Sequence, residues 1–234
     1  MMDKYPSVSP YAYCAWNPVK MVDPTGMDTL LFSHDGYYEM TLPGGDDIGI
    51  IRGRDGSVLK TFAFADNRWC DRFVKLGDLE LSVENNNRGK DDKLFNKVVV
   101  VDDCFIENML EESGVNSLLH RDIYAVRLCY ALLESRKGRF GEERGKMDFV
   151  NKREIQNVKG ALFVTTVMGN SLAHDSFNMG NFMWGAAMGR MGIYPLAVWV
   201  GSNIDCILNE RTFDSADDQR SIFQGYLYSI INLR

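Results

Sequence analysis

Histidine is scarce in this chain. The three in 234 residues stand at positions 34, 120 and 174, so imidazole chemistry has three candidates only. Cysteine is little more common. The five, at 14, 70, 104, 129 and 206, never fall within four residues of one another. That excludes the close ligand pairs of a zinc site, and an odd, low count is unlike a disulfide scaffold. No apolar run approaches the ~18 residues of a membrane helix. Met1–Ser9 lacks the basic, apolar and small-residue order of a signal peptide, so delivery is expected to depend on upstream or separate machinery. Gly44-Gly45 lacks the Lys and Ser/Thr of a phosphate-binding loop. No cofactor is expected.

What is present is ordinary globular composition, with 45% hydrophobic and 25% charged residues. The net charge of −6 is unevenly spread. Residues 1–113 carry 12 basic against 20 acidic side chains, and residues 114–234 carry 14 against 12. The acidic half argues against a nucleic-acid surface there; the other half permits one, with 10 basic and 6 acidic side chains in Arg121–Lys159.

Three regions follow from patterning. Residues 1–26 hold Pro6, Pro10, Pro18 and Pro24, too frequent for a helix or a central strand, and Asp23-Pro24-Thr25-Gly26 closes the segment as a turn. Residues 27–113 form a β-rich region. Thr29–Ser33 and Tyr37–Leu42 flank the turn His34-Asp35-Gly36, and Ile48–Arg52 and Val58–Ala63 flank Asp55-Gly56. Lys97–Val101 is a buried strand, followed by a helix to Glu112 capped by Asp102 or Asp103. Glu84–Lys93 is a polar loop. Residues 114–234 read as mainly helical: Ser117–Ser135, Asn178–Gly192, Tyr194–Leu208 and Ser215–Tyr228, with a loop at Lys137–Lys146 and a strand-like Ala161–Val167. The expected fold class is α+β, with N-terminal antiparallel β hairpins followed by a mainly helical C-terminal region.

The first region carries a resemblance. Ser9-Pro10-Tyr11, Tyr13, Asn17-Pro18, Asp23-Pro24 and Gly26 resemble the closing stretch of the RHS-repeat-associated core domain, with Trp16 where that family usually has Asn. In that family a variable tip, often a toxin, follows the core. The remainder is similar to tips found behind such cores in Bacteroides-like bacteria. The shared stretches are Gly145-Lys146-Met147-Asp148-Phe149, the run from Ala173-His174 to Asn181-Phe182-Met183-Trp184-Gly185-Ala186, and the run from Phe213-Asp214-Ser215 through Asp217-Asp218-Gln219 to Gly225. The element around Gly180-Asn181-Phe182 also resembles the type-44 polymorphic toxin family, for which a helical ribonuclease is implied. Where related tips have Gly-Ala-His, this chain has Gly201-Ser202-Asn203, and an amide cannot exchange a proton near neutral pH.

The resemblance implies a polymorphic toxin tip acting on RNA of competing bacteria, with a cognate immunity protein as partner. A metal-independent ribonuclease needs a base, an acid and cations to meet the phosphorane. His174 is the candidate acid or base. Glu134, Arg136, Lys146 and Asp148 are candidates for the remaining carboxylate and cationic roles, and Asn178 and Asn181 for holding substrate phosphate. Each also has a structural reading. His174 would fix the Asn178–Trp184 stretch, the charged four would be a solvated helix end with an ion pair, and the asparagines would hold a loop. Asp214, Asp217 and Asp218 do not have calcium-loop spacing and read as a helix cap, so no metal site is expected. Met179, Met183, Met188 and Met191 with Phe182 and Trp184 read as core or as a surface for the immunity protein. Asn203, the few histidines and the acidic balance favour the alternative, a non-catalytic or decayed toxin module that binds a partner.

Overall fold

The computed structural model describes residues 28–75, 94–118, 123–135, 145–158, 160–210 and 214–232. The proposed core stub at 1–26 and the polar loop Glu84–Lys93 lie outside them, as do His120, Arg136 and most of the Lys137–Lys146 loop.

Among the described residues, seven strands form one sheet. They are β1 (Asp28–Phe32), β2 (Tyr38–Pro43), β3 (Ile48–Arg52), β4 (Val58–Phe64), β5 (Lys97–Val100), β6 (Ala161–Val167) and β7 (Asn170–His174), in the order β2-β1-β3-β4-β7-β6-β5. The expected hairpins β1/β2 and β3/β4 are antiparallel, and so is β6/β7. Parallel pairs join them: β1 with β3, β4 with β7 and β5 with β6. The sheet is therefore mixed, which the hairpin signals did not foretell. Its last three members also come from both sides of residue 113, so β6 and β7 complete what the N-terminal strands begin.

The sheet curls until its edges meet. Tyr38 N donates to Asn96 O at 2.9 Å, and Val98 N to Gly36 O at 2.8 Å. Gly36 serves twice here. Its φ of +80° makes the β1–β2 turn, and a Cβ on it would lie 2.2 Å from Val98 O. Inside the curl pack Leu30, Phe32, Ile51, Phe62, Phe64, Trp69, Phe73, Phe95, Leu162 and Val164. The rings meet edge-on or tilted, Phe32 and Phe73 at 5.1 Å between centroids.

Among the described residues six α-helices accompany the sheet: α1 (Asp103–Glu112), α2 (Tyr124–Glu134), the single turn α3 (Arg153–Gln156), α4 (Ser176–Arg190), α5 (Pro195–Glu210) and α6 (Ala216–Asn232). Asp102 caps α1, its carboxylate accepting from Phe105 N at 2.8 Å. The second core sets Ile106, Met109 and Leu110 of α1 against α4 and the outer residues Phe163 and Val167 of β6. Alternation along β6 thus serves both cores, Leu162 and Val164 inward and Phe163 outward.

One expected helix is shorter than its pattern. Ser117–Ser135 is a 3-10 turn at Val115–Leu118 and then α2 from Tyr124. Its apolar residues only partly enter the core: Leu118 is buried there and Leu128 packs against it, whereas Ile123, Leu132 and Leu133 are 63%, 61% and 76% exposed.

Candidate functional site

His174 ends β7, immediately before Asp175 caps α4 by accepting from Asn178 N at 2.8 Å. The ring points outward from the curled sheet and is covered by α4 and α6. It is fully buried, with the Phe182 ring 5.5 Å away. Both nitrogens have partners. Nδ1 lies 2.9 Å from Ser221 Oγ, and Nε2 lies 2.9 Å from both Thr165 Oγ1 and Gln224 Oε1.

Gln224 Nε2 is turned to Asn170 O at 3.4 Å. Its Oε1 therefore accepts from Nε2–H of the imidazole, and also from the Thr165 hydroxyl at 3.0 Å. On the other side, the single proton of the Ser221 hydroxyl has two acceptors in reach, Nδ1 and Asp217 O, each at 2.9 Å. Burial pushes the ring down to about 4, against the opposing pull of the Gln224 bond. The ring is a neutral bridge between β6, β7 and α6. The partners are side chains, not backbone groups, and the Asn178–Trp184 stretch beside the ring is helical, as its spacing predicts.

The two candidate phosphate ligands are occupied by carboxylates. Asn178 Nδ2 donates to Asp217 Oδ2 at 3.0 Å, and Asn181 Nδ2 to Asp218 Oδ1 at 2.6 Å. Burial works against the charged form of Asp217, yet its bonds from Asn178 and Ser215 hold the carboxyl below its ordinary value. Ser215 caps α6: its Oγ accepts from Asp218 N at 3.3 Å and donates to Asp218 Oδ2 at 2.6 Å. Among the described residues no cluster of carboxylates, histidines or cysteines suits a metal ion.

Beyond this polar end, α4 and α6 touch backbone to backbone. A Cβ on Gly185 would lie 2.0 Å from Ile222 O, and one on Gly225 would lie 1.8 Å from Phe182 O. Glycine at both positions is what lets the helices approach. Ser229 Oγ donates to Ala186 O at 2.5 Å farther along. Met179, Met183, Met188 and Met191 are buried core residues.

Asn203 lies on α5, 6% exposed. Its Nδ2 donates to Trp199 O at 2.8 Å and its Oδ1 accepts from Asp214 N at 3.3 Å. Gln219 Nε2 donates to Ser202 Oγ at 2.5 Å and to Asp214 Oδ2 at 2.6 Å. The amide therefore fills a structural role between α5 and the start of α6.

The remaining candidates lie on another segment. Glu134 Oε2 accepts from Lys146 N at 2.7 Å, while the Lys146 side chain is exposed. Both carboxylate oxygens of Asp148 accept from Asn151 Nδ2 at 2.9 Å. No hydrogen bond or ion pair among the described residues joins Glu134, Lys146 or Asp148 to His174. The segment still borders α4, because Trp184 Nε1 donates to Ser135 Oγ at 2.7 Å and Gly180 packs on Val150.

The three shared stretches of the sequence thus meet at the first turns of α4, through Val150, next to Phe149, on Gly180 and through Asp217 and Asp218 on Asn178 and Asn181. Thr165, Ser221 and Gln224, which contact His174, were not singled out individually. The spacing of Ser221 and Gln224, three apart on one face of a helix, was the available signal.

A cleft of about 490 Å³ opens nearby between β4, the β6–β7 hairpin and α6, and Gln224 lies in its lining. His174 stands behind that amide. No family model, no curated protein and no solved structure matches the chain.

Proposed function

We propose that the chain is the tip of an RHS-type polymorphic toxin in a non-catalytic, partner-binding form. The sequence resemblance supplies the ancestry. The observation that carries the rest is the state of His174: fully buried, with its ring nitrogens engaged by Ser221, Thr165 and Gln224. A general base needs access to the proton it removes and an affinity for protons near working pH. This ring has neither, and Asn203 stands where related tips carry histidine. Partner binding is supported by exposed apolar side chains at the start of α5, where Tyr194, Leu196 and Trp199 are 69%, 71% and 52% exposed.

A second reading, a ribonuclease, is favoured by the meeting of the three shared stretches around Asn178, Asn181, Asp217 and Asp218. The two readings separate in one experiment. The full chain is induced in the cytoplasm of a bacterial host, growth is followed, and total RNA is run on a gel. Normal growth with intact RNA and soluble protein is expected. Growth arrest with degraded RNA would overturn the non-catalytic reading, and His174→Ala would then be compared for loss of cleavage. Arrest with intact RNA would keep a toxin and move its target elsewhere.

A further inference from the structure

Two neighbouring helices turn apolar side chains to solvent. Leu128 and Ala131 of α2 face the core, yet Val126, Cys129, Leu132 and Leu133 on its other side are apolar as well, and exposed. From Ile123 to Leu133 the one charged residue is Arg127. It turns back to the fold, donating from Nη1 to Met191 O at 2.6 Å. The first two turns of α5 repeat the pattern. Tyr194, Leu196, Trp199 and Val200 are exposed, and Tyr194–Asn203 contains no charged residue. A helix that is apolar all round is normally covered all round.

The two faces are continuous. The rings of Tyr124 and Tyr194 lie 5.2 Å apart between centroids. Farther along, Trp184 of α4 stands between the helices. Its Nε1 donates to Ser135 Oγ at 2.7 Å, just past the end of α2, and a Cβ on Gly201 of α5 would lie 3.7 Å from its ring. With Ile123, the eight large apolar residues exposed on α2 and α5 present roughly 900 Å² per chain, against about 800 Å² a side in a standard interface. The largest apolar patch of a typical monomer is about 300–600 Å².

Two properties point to a second copy as the occupant. An interface with a foreign protein is only about as apolar as ordinary surface, whereas homodimer interfaces are more apolar. An uncharged face also meets itself across a two-fold axis without setting like charges opposite one another, which matters in a chain of net charge −6. We infer that the chain forms a two-fold homodimer through α2 and the start of α5. The inference rests on the partner-binding reading and names the partner. Its test involves neither growth nor RNA, so the two fail separately.

The full chain is followed by sedimentation velocity across a dilution series. A monomer–dimer equilibrium with a Kd in the micromolar range or tighter is expected. Leu133→Glu and Trp199→Glu each bring two carboxylates into the two-fold contact, and each is expected to weaken the dimer about a hundredfold. Leu59→Glu makes the same charge change at an exposed apolar position on β4 and is expected to leave the dimer unchanged. A further readout needs no variant: maleimide labelling of Cys129 is expected to slow as protein concentration rises, while the exposed Cys104 on α1 keeps its rate. A monomer at every concentration would overturn the proposal and leave the face to a different protein. So would a dimer indifferent to both α2 and α5 variants, or one weakened equally by Leu59→Glu. So would a Cys129 that never labels, which would mean that another part of this chain covers α2.

Discussion

Acid should loosen this fold through His174, and the size of the effect follows from its burial. In the unfolded chain the imidazole takes up a proton near its ordinary value of 6.5, whereas in the native chain it stays neutral down to about 4. The contribution of this group to stability is fully present above pH 6.5, is lost as pH falls from 6.5 to 4, and changes little below that. The gap corresponds to about 3 kcal/mol at most. Carboxylates titrate in part of the same window, so the measurement is a difference. Urea unfolding of the parent and of His174→Gln is compared from pH 7.5 to pH 4. Glutamine does not titrate, so the stability gap between the two should shrink by about 2–3 kcal/mol on acidification. The variant itself should be less stable at pH 7 by about 2–4 kcal/mol, since Ser221 and Thr165 lose a well-placed partner. A pH-independent gap would refute the reasoning. So would a ring proton resonance of His174 in the parent that titrates near 6.5, a check that does not depend on the variant folding.

Other consequences are as direct. Gly185→Ala and Gly225→Ala each place a Cβ within about 2 Å of a carbonyl oxygen on the facing helix, and should cost about 3 kcal/mol or more as α4 and α6 separate; a thermal midpoint within 2 °C of the parent would contradict that packing. Asp102→Ala removes the α1 cap and should cost about 1 kcal/mol in urea unfolding, with Asp102→Ser largely retaining the parent stability. Asn203→His breaks the bonds to Trp199 and Asp214 and should lower stability by about 1–2 kcal/mol. The same variant tests the decayed-toxin reading, because growth arrest on its expression, absent in the parent, would identify position 203 as the lost catalytic group. Asn181→Ala is expected to lower the thermal midpoint by breaking the tie to Asp218, whereas loss of RNA binding at unchanged stability would return the residue to a substrate role.

Much of the local structure was legible in the sequence. Turn residues such as His34-Asp35-Gly36 and Asp55-Gly56 act within a few positions, so both N-terminal hairpins could be read. Asp102 and Ser215 cap helices by bonding backbone groups two or three residues on, which is also local. The β7 strand was harder, because Asn170–His174 is short and polar at its start, and only its pairing with β6 and β4 makes it a strand. The apolar spacing over Ser117–Ser135 suggested one core face, but spacing alone does not say that Leu128 meets a neighbour while Leu132 and Leu133 do not. The candidate site showed the same division. The motif stretches were visible as sequence, while the direction of each polar side chain was not.

The sequence alone determined the N-terminal hairpins and the helix-rich C-terminal half, the turns and caps, and which short stretches stood out as motifs, because propensity and turn chemistry depend on neighbours along the chain. The tertiary structure decided the mixed sheet that draws β6 and β7 into the N-terminal curl. It decided that Asn178 and Asn181 meet Asp217 and Asp218, and that Gly185 and Gly225 are where two backbones touch. It also decided the character of His174, since burial and the partners from β6 and α6 determine whether an imidazole carries a proton, and those partners stand 9 to 50 residues away along the chain.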